Sequence, residues 1–266
     1  EKLFMGTKAD VITFVKGMLE VRIFPDRDKM GQDAAKDVSA AIQALQKTKE
    51  EINMIFAAAP SQSDFMKALI RDKAIQWNKV NAFHMDEYIG LEEDAPQGFG
   101  NFLKRHLFDH VPFKSVNLLN GQAADPEAEC ARYSSLLERY PADIVCLGIG
   151  ENGHIAFNDP PVADFKDPKA VKVVELELAC RQQQVNEKLF DGINLVPTHA
   201  MTITIPALIR AKQMYCMVPA ANKAEAVYRT LNDEISEACP ATILRNKKGA
   251  ILYLDRDSAA LLKELK

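Results

Sequence analysis

The amino-acid sequence predicts an α/β fold in which a mostly parallel sheet is covered by helices on both faces. Along the chain, apolar runs of strand length alternate with segments whose apolar residues recur at helical spacing. Such runs between helices are typical of strands that are buried on both faces. No internal repeat, low-complexity tract or linker rich in Pro, Gly or Ser interrupts the pattern. We therefore expect residues 1–266 to form a single α/β domain.

The predicted strands are short apolar runs that end at a glycine, a proline or a polar residue. They cover residues 21–24, 52–59, 80–83, 116–119, 143–147, 171–176, 201–205, 214–218 and 250–254. The predicted helices carry apolar residues three and four positions apart, as Met30, Ala34 and Val38 do. They cover residues 26–47, 61–70 with Ser61 as a candidate cap, 98–108, 126–140, 222–231 and 258–265.

Charge and cysteine content exclude several classes of protein. Lys and Arg number 33 against 37 Asp and Glu, a net charge of −4, whereas proteins that hold nucleic acid are usually basic. The five cysteines form no C-x-x-C pair, which favours a reducing cytoplasm over a disulfide framework or a zinc site. Residues 1–10 lack a signal-peptide pattern, and no apolar run approaches the ~20 residues that span a bilayer. We expect a cytoplasmic protein without a membrane or nucleic-acid partner.

Residues that can perform chemistry follow three of the predicted strands. Asp86 and Glu87 follow residues 80–83, His154 follows residues 143–147, and Lys223 follows residues 214–218. Because ligands of parallel sheets bind beyond the carboxyl ends of the strands, we expect Asp86, His154 and Lys223 to converge there. A carboxylate in partly apolar surroundings suits a base, and a cation at a helix start suits phosphate. The alternatives are a capping acid with a solvated neighbour, and an ordinary surface lysine.

The segment after residues 143–147 contains Gly148, Gly150 and Gly153, which spell G-x-G-x-x-G. We disfavour a dinucleotide site, because the following residues do not read as a helix and no acid is placed for a ribose. Glycines also let main-chain N–H groups approach a ligand, so Gly150 and Gly153 are candidate binding residues. In the same segment, Asp159 can fix the tautomer of His154. The glycine-rich setting at the end of a strand favours proton transfer by His154 over a buried structural histidine.

The pair His106 and His110 has the H-x-x-x-H spacing of metal ligands. Leu107 stands where the general-base glutamate of H-E-x-x-H would be, which argues against a metal at this pair. The sequence therefore predicts no metal centre.

Four blocks resemble the signature motifs of glucosamine-6-phosphate deaminases: residues 83–91 (FHMDEYIGL), 117–121 (NLLNG), 127–130 (EAEC) and 150–160 (GENGHIAFNDP). The similarity runs in register over residues 22–254. The resemblance implies a Rossmann-like α/β domain that converts an amino-sugar 6-phosphate into fructose 6-phosphate and ammonia. It implies a phosphosugar as the small-molecule partner, no metal or other cofactor, and a homo-oligomer, which members of the family often form.

The resemblance also implies roles for individual residues. Asp86 matches the base that moves a proton between C2 and C1 of the sugar. His154 matches the histidine that opens the sugar ring, and Asp159 stands where the family has an orienting glutamate. Lys223 matches a phosphate-binding lysine, and Ser61 falls in the phosphate loop.

The sequence departs from the family pattern around the substrate. Residues 57–63 read AAAPSQS where the family usually has a Thr-Gly-Gly-Thr type sequence. Asn152 replaces the acid that assists the ring-opening histidine, and an amide cannot relay a proton. Glu151, Asp159 and Glu87 are the candidates to take that part.

The arginine that the family places near the phosphate falls in a stretch with an apparent insertion, where Arg181 and Lys188 are both candidates. These changes favour a shifted sugar specificity, such as galactosamine 6-phosphate. Two other functions stay open: a 6-phosphogluconolactonase, which shares the fold and a similar glycine loop, and a sugar-phosphate sensor with weakened catalysis.

Overall fold

The computed structural model describes residues 11–266. The expectation about a signal segment at residues 1–10 lies outside the described residues. Within residues 11–266, none of the helices combines the length and the apolar character of a membrane-spanning segment.

The structure contains strands in two sheets, and their bounds follow in chain order. The strands are β1 (Ile12–Lys16), β2 (Leu19–Phe24), β3 (Ile52–Phe56), β4 (Val80–His84), β5 (Asp86–Tyr88), β6 (Ser115–Asn117), β7 (Ile144–Leu147), β8 (Val171–Glu175), β9 (His199–Ile203), β10 (Gln213–Val218) and β11 (Ala250–Asp255). The helices are α1 (Arg27–Gln46), α2 (Ser63–Leu69), α3 (Phe99–Leu103), α4 (Pro126–Arg139), α5 (Leu178–Asn186), α6 (Ile205–Ile209) and α7 (Ala224–Asn232). Short 3₁₀ turns include Pro60–Gln62 and Ala221–Lys223, and α3 continues as a π-helical turn at Lys104–Phe108.

Among residues 11–266, the main sheet has eight strands in the order β1-β2-β11-β10-β7-β3-β4-β6. All neighbours pair in parallel except β1, which forms an antiparallel hairpin with β2. The predicted mostly parallel α/β sheet is confirmed.

Alternate residues of each central strand pack into the two faces of the main sheet. In β7, Cys146 joins the cluster with α1 and α2, whereas Val145 and Leu147 join the cluster with α4 and α7. The same alternation in β10 and β11 produces two cores, each closed by helices. Burial on both faces explains why these strands read as continuous apolar runs.

A second, three-stranded antiparallel sheet in the order β5-β9-β8 was not predicted. Residues 171–176 and 201–205 were predicted as strands of the parallel sheet, and their main parts instead pair with each other as β8 and β9. Met85 joins the two sheets, since its N–H donates to the Phe56 carbonyl of β3 and its own carbonyl accepts from Ile203 N of β9. The chain therefore passes directly from β4 into β5.

The predicted helix at residues 258–265 was wrong. The segment forms turns that end in a 3₁₀ turn at Lys263–Leu265. Its buried apolar residues, Ala259 and Leu262, are three apart, a spacing that 3₁₀ turns also satisfy. The predicted cap at Ser61 also differs, because Ser61 lies inside the 3₁₀ turn Pro60–Gln62 and α2 begins at Ser63.

Candidate active site

A narrow cleft lies at the carboxyl ends of four neighbouring strands of the main sheet, β10, β7, β3 and β4. Ser61, Asp86, His154 and Lys223 all line it, although they are far apart in the sequence. Each follows one of these strands, so the parallel sheet brings them to one edge. The remaining lining is largely apolar and includes Met85, Phe99, Ala156 and Phe157.

The cleft has a volume of about 60 Å³, whereas small-molecule sites usually span roughly 300–1,000 Å³. A larger cavity of about 730 Å³ lies between α4 and residues 168–171, but none of the four side chains above lines it. The chemistry-bearing residues therefore assign the site to the smaller cleft.

Asp86 is the first residue of β5, at the junction of the two sheets. It is 6% exposed, and within residues 11–266 its carboxylate accepts no hydrogen bond. Burial, together with the negative charges of Glu87 and Asp159, raises the pKa of Asp86 well above its usual range. A carboxyl group in this setting holds a proton strongly, which is the property that a general base needs.

The loop after β7 carries His154 and is fixed to the second sheet. Phe157 N donates to Thr202 Oγ1 at 3.1 Å, and Asn158 Nδ2 donates to the Ile203 carbonyl at 2.9 Å. Thr202 also pairs with Asp86 across β5 and β9. The strand β9 therefore positions both His154 and Asp86.

Two glycines of this loop have steric reasons to be glycine. A Cβ atom at Gly150 would lie 1.9 Å from the ring of His154. Gly153 has a φ of +82°, and a Cβ there would lie 2.5 Å from Cys239 Sγ. Gly150 lines the cleft, whereas Gly153 packs away from it against Cys239.

Hydrogen bonds fix which nitrogen of His154 carries the proton. Asn152 Nδ2 donates to the carboxylate of Glu177 at 2.5 Å, which turns Asn152 Oδ1 toward His154 Nδ1 at 2.6 Å. Since Oδ1 can only accept, Nδ1 carries the proton and Nε2 is free to accept one when the ring is neutral. Asp159 Oδ1 also lies 3.2 Å from His154 Nδ1.

The electrostatic surroundings keep His154 neutral. Burial and the nearby charge of Lys223 lower the pKa of His154 to about 3. Burial raises the pKa of Asp159 to about 6, against the opposing hydrogen bonds from Glu177 N and the Asn152 side chain. At neutral pH the site therefore presents an uncharged imidazole that is oriented by a carboxylate.

Lys223 ends the 3₁₀ turn before α7 and is 4% exposed. Its Nζ donates to the Ile149 carbonyl at 2.9 Å and lies 3.3 Å from Glu187 Oε1. Beside it, Gln62 Nε2 donates to Ser61 Oγ at 3.2 Å and to the Leu147 carbonyl at 3.1 Å. Gln62 thus ties the Ser61 turn to the end of β7, a role that the sequence did not signal.

The helix α5 and the residue after it form one wall of the cleft, through Gln183, Gln184 and Glu187. The sequence analysis missed this wall. The buried residues of α5 are Cys180, Gln183 and Gln184, so no stripe of apolar residues marks its inner face. Glu177, just before α5, was also missed, because its contact with Asn152 joins residues 25 positions apart.

Besides Asn152, Gly153 and Asp159, which are described above, four predicted site residues do not line the cleft: Glu87, Glu151, Arg181 and Lys188. Glu87 accepts hydrogen bonds from the backbone N–H groups of Tyr88, Phe99 and Gly100 at 2.9–3.0 Å, and so holds the start of α3. Because successive side chains of a strand point to opposite faces, Glu87 faces away from Asp86. Burial raises the pKa of Glu87 against these hydrogen bonds.

The other three residues serve the surrounding loops. Glu151 accepts from Asn222 Nδ2 at 2.9 Å. Arg181 donates to the carbonyls of Ile193 and Val196 at 2.9 and 3.1 Å, so it braces the segment before β9. Lys188 is exposed, and Glu187 beside it faces the cleft instead.

One group of three potential metal ligands lies together within residues 11–266. His154, Asp159 and Cys180 place their ligand atoms within 4.8 Å of one another. These atoms already take part in hydrogen bonds, from His154 to Asn152 and between Cys180 and Asp159. The H-x-x-x-H pair noted in the sequence is not part of this group. His110 Nε2 contacts the Arg105 carbonyl at 2.5 Å, and His106 packs on Phe102.

Comparison with known proteins identifies the family. Residues 25–253 match the family described as glucosamine-6-phosphate isomerases/6-phosphogluconolactonase. The chain belongs to this family. A glucosamine-6-phosphate deaminase of Bacillus cereus strain B4264 is 36% identical over 236 residues, which are 89% of this chain and 88% of the relative. A glucosamine-6-phosphate deaminase of Bacillus thuringiensis strain Al Hakam is 35% identical over the same shares of both chains.

Solved structures support the same assignment. A monomeric glucosamine-6-phosphate deaminase superposes with a TM-score of 0.82 at 31% identity, and covers 91% of this chain and 99% of its own. A 6-phosphogluconolactonase of Thermotoga maritima superposes with a TM-score of 0.71 at 18% identity over 88% of this chain and 98% of its own. The second likeness concerns the fold, which is the Rossmann-like α/β fold that the sequence predicts.

Proposed function

We propose that this family member is an enzyme that converts a hexosamine 6-phosphate into a ketose 6-phosphate and ammonia. The observation that carries the proposal is the buried carboxyl group of Asp86. It lines the cleft together with the neutral imidazole of His154, and within residues 11–266 it has no hydrogen-bond partner. The two groups can move protons in separate steps of one reaction.

The first step opens the sugar ring. His154 Nε2 accepts the proton of the anomeric hydroxyl, the bond between C1 and the ring oxygen breaks, and the ring oxygen takes up the proton. The product is an open-chain aldehyde. Asn152 and Asp159 keep the Nδ1 proton in place, so that Nε2 is the nitrogen that exchanges protons.

The second step moves a proton from C2 to C1. Asp86 removes the proton from C2, and the aldehyde oxygen takes a proton from the substrate's ammonium group, which gives a neutral enolamine. Asp86 then delivers its proton to C1, and the resulting C2 iminium adds water and loses ammonia to leave a ketone. One carboxylate on one face of the substrate is sufficient for both transfers.

The charge around the reacting end favours an amino sugar. Asp86 and Asp159 are buried, and their pKa values are raised because burial and neighbouring negative charge oppose ionisation. The ammonium group of a hexosamine would lower both pKa values and release Asp86 as a base. A lactone of phosphogluconate brings no such cation and needs no base at C2.

Lys223 and Ser61 are the groups that would hold the phosphate at the other end. Glu187 forms an ion pair with Lys223, with its Oε1 at 3.3 Å from Lys223 Nζ. Phosphate binding then exchanges one anion for another on the same lysine, and α5 moves outward to widen the cleft.

The test is a screen of the purified protein against glucosamine 6-phosphate and galactosamine 6-phosphate, with ammonia and ketose measured together. Equal amounts of both products support the deaminase. Ketose without ammonia would make the protein a simple isomerase, and hydrolysis of 6-phosphogluconolactone without deamination would make it a lactonase. Tight binding without turnover of any of these compounds would make it a sensor.

We also infer that the chain acts as a single domain in the cytoplasm. All five cysteines are free and buried, which suits a reducing compartment. A homo-oligomer stays a prediction, and sedimentation of the full chain tests it. Fractionation of cells tests the compartment.

A further inference from the structure

Gln184 is a largely buried residue of α5 whose side-chain amide borders the cleft. It is 5% exposed and lines the cleft. Among residues 11–266, none forms a hydrogen bond with its side-chain amide. The amide opens onto the cleft, so its donor and its acceptor are available to a ligand that fills the cleft.

The two neighbouring glutamines show how different Gln184 is. Gln183 Oε1 accepts from Glu151 N at 2.6 Å, and its Nε2 donates to Glu187 Oε1 at 3.4 Å. Gln182 is exposed and donates to Asn186 Oδ1 at 3.0 Å. Of the three consecutive amides, Gln184 alone faces the cleft with neither its donor nor its acceptor bonded to another of the described residues.

The other polar side chains of the cleft already have tasks in the proposed reaction. Asp86 and His154 act at C1, C2 and the ring oxygen, and Lys223 and Ser61 act at the phosphate on C6. The hydroxyl groups at C3 and C4 are left, and Phe99 and Phe157 offer them no hydrogen bond. A carboxamide both donates and accepts, as a hydroxyl group does.

We propose that Gln184 binds a hydroxyl group at C3 or C4 of the substrate and thereby determines which sugar the cleft accepts. The inference rests on the proposed function. A site built to bind a hydroxyl group discriminates strongly against a ligand that lacks or inverts it, because the buried amide is then left unpaired.

The experiment compares Gln184→Leu with Gln182→Leu, the same substitution two residues away on the exposed side of α5. The kcat/KM of each protein is measured with the preferred hexosamine 6-phosphate and with its 3-deoxy and 4-deoxy analogues. We expect Gln184→Leu to lower kcat/KM about 10- to 100-fold, and Gln182→Leu to leave it unchanged. For the unmodified protein, kcat/KM should be lower by a similar factor with one of the two deoxy analogues than with the parent sugar. For Gln184→Leu, kcat/KM should be the same with that analogue as with the parent sugar.

The inference would be overturned if Gln184→Leu lowered kcat/KM by the same factor, relative to the unmodified protein, for the parent sugar and for both analogues. A purely structural role of Gln184 predicts such equal factors. Indistinguishable behaviour of the two variants would also overturn the inference. If Gln184→Leu does not fold, Gln184→Met goes through the same comparison, since methionine is uncharged, keeps the length of the side chain and lacks both the N–H donor and the carbonyl acceptor.

The failure of the proposed function is visible separately. If the unmodified protein deaminates no hexosamine 6-phosphate, the same comparison is made on Kd by calorimetry with glucose 6-phosphate and its 3-deoxy and 4-deoxy analogues. The proposed function then fails, while a hydroxyl-specific loss of binding in Gln184→Leu still supports the role of Gln184. An equal loss for all three ligands overturns that role as well.

Discussion

The floor and the wall of the cleft are built in different ways. The floor consists of Ser61, Asp86, His154 and Lys223, each of which follows a strand of the eight-stranded sheet. The wall consists of Gln183, Gln184 and Glu187, which a single short helix and its end present. Strand pairing holds the floor in place from several strands, whereas the wall depends on the contacts of one helix. The comparison suggests that the floor carries the chemistry and that the wall selects the ligand.

The largest effect is expected at Asp86, the base of the floor. Asp86→Asn keeps the shape of the side chain but removes its basicity, so exchange of the C2 proton with solvent should fall by about 10²- to 10⁴-fold. Deuterium incorporation from D₂O into the sugar phosphate measures it, with the exposed Asp94→Asn as the control. Undiminished exchange would move the base to another residue and break the assignment of chemistry to the floor.

The second effect separates His154 from Asp86 within the floor. His154→Gln should slow turnover of the cyclic sugar by about 10²-fold or more, because the ring then opens without a proton acceptor. An open-chain analogue should still exchange its C2 proton. The exposed His199→Gln is the control. Equal losses with both substrates would give His154 a part in the carbon chemistry.

The third effect concerns the phosphate end of the floor. Lys223→Ala should raise KM by about 10-fold or more and should lower kcat by a smaller factor. The reason is that the phosphate has the same charge in the ground state and the transition state. Steady-state kinetics with the preferred sugar phosphate measure both constants. An unchanged KM would remove Lys223 from the site.

The fourth effect tests whether the wall competes with the ligand. Glu187→Gln removes the anion that pairs with Lys223 at 3.3 Å, so the Kd for inorganic phosphate should fall by up to about 10-fold. Calorimetric titration measures it, with the exposed Glu175→Gln on β8 as the control. A Kd that rises would mean that Glu187 assists phosphate binding and does not oppose it.

The smallest effect concerns His84, a buried histidine at the end of β4, and the pH dependence of stability. His84 ends β4, and burial lowers its pKa to about 3, while its Nε2 accepts from Leu119 N at 2.8 Å. In the unfolded chain the histidine titrates near its usual pKa of about 6.5, so acid protonates the unfolded state preferentially and stability is lost as the pH falls from 7.

This contribution amounts to about 0.8 kcal/mol at pH 6. His84→Gln keeps an acceptor for Leu119 N, and should lose correspondingly less free energy of unfolding between pH 7.5 and pH 6 than the unmodified protein. Urea denaturation at both pH values measures it, and His199→Gln serves as the exposed control. An identical pH dependence in His84→Gln would show that His84 is not kept neutral by the fold.

The floor could be predicted from the sequence, and the wall could not. Each floor residue follows an apolar run, and the topology of a parallel sheet brings such positions together. The buried residues of α5 include Gln183 and Gln184, so its inner face left no apolar periodicity to detect. The role of Glu177 depends on Asn152, a contact between residues 25 positions apart that no local pattern signals.

The grouping of Glu87 with Asp86 failed for a different reason. Residues 86–88 were not predicted as a strand, because only three residues pair there. In a strand, adjacent side chains point to opposite faces, so the two acids would have been separated at once. The same unpredicted strand explains why Asp86 lies between two sheets.

All five cysteines are free and buried. A thiol reagent can therefore reach each of them only when the surrounding region opens, so the labelling rate measures how often that region opens. Thiol reagents attack the thiolate, and burial raises the pKa of Cys180 well above its usual range. Cys180 lies in α5, whereas Cys146 and Cys216 lie in the central strands β7 and β10. The labelling rate of Cys180 therefore measures how often α5 opens. The labelling rates of Cys146 and Cys216 measure how often the main sheet unfolds. The chain thus reports on two motions without any introduced probe.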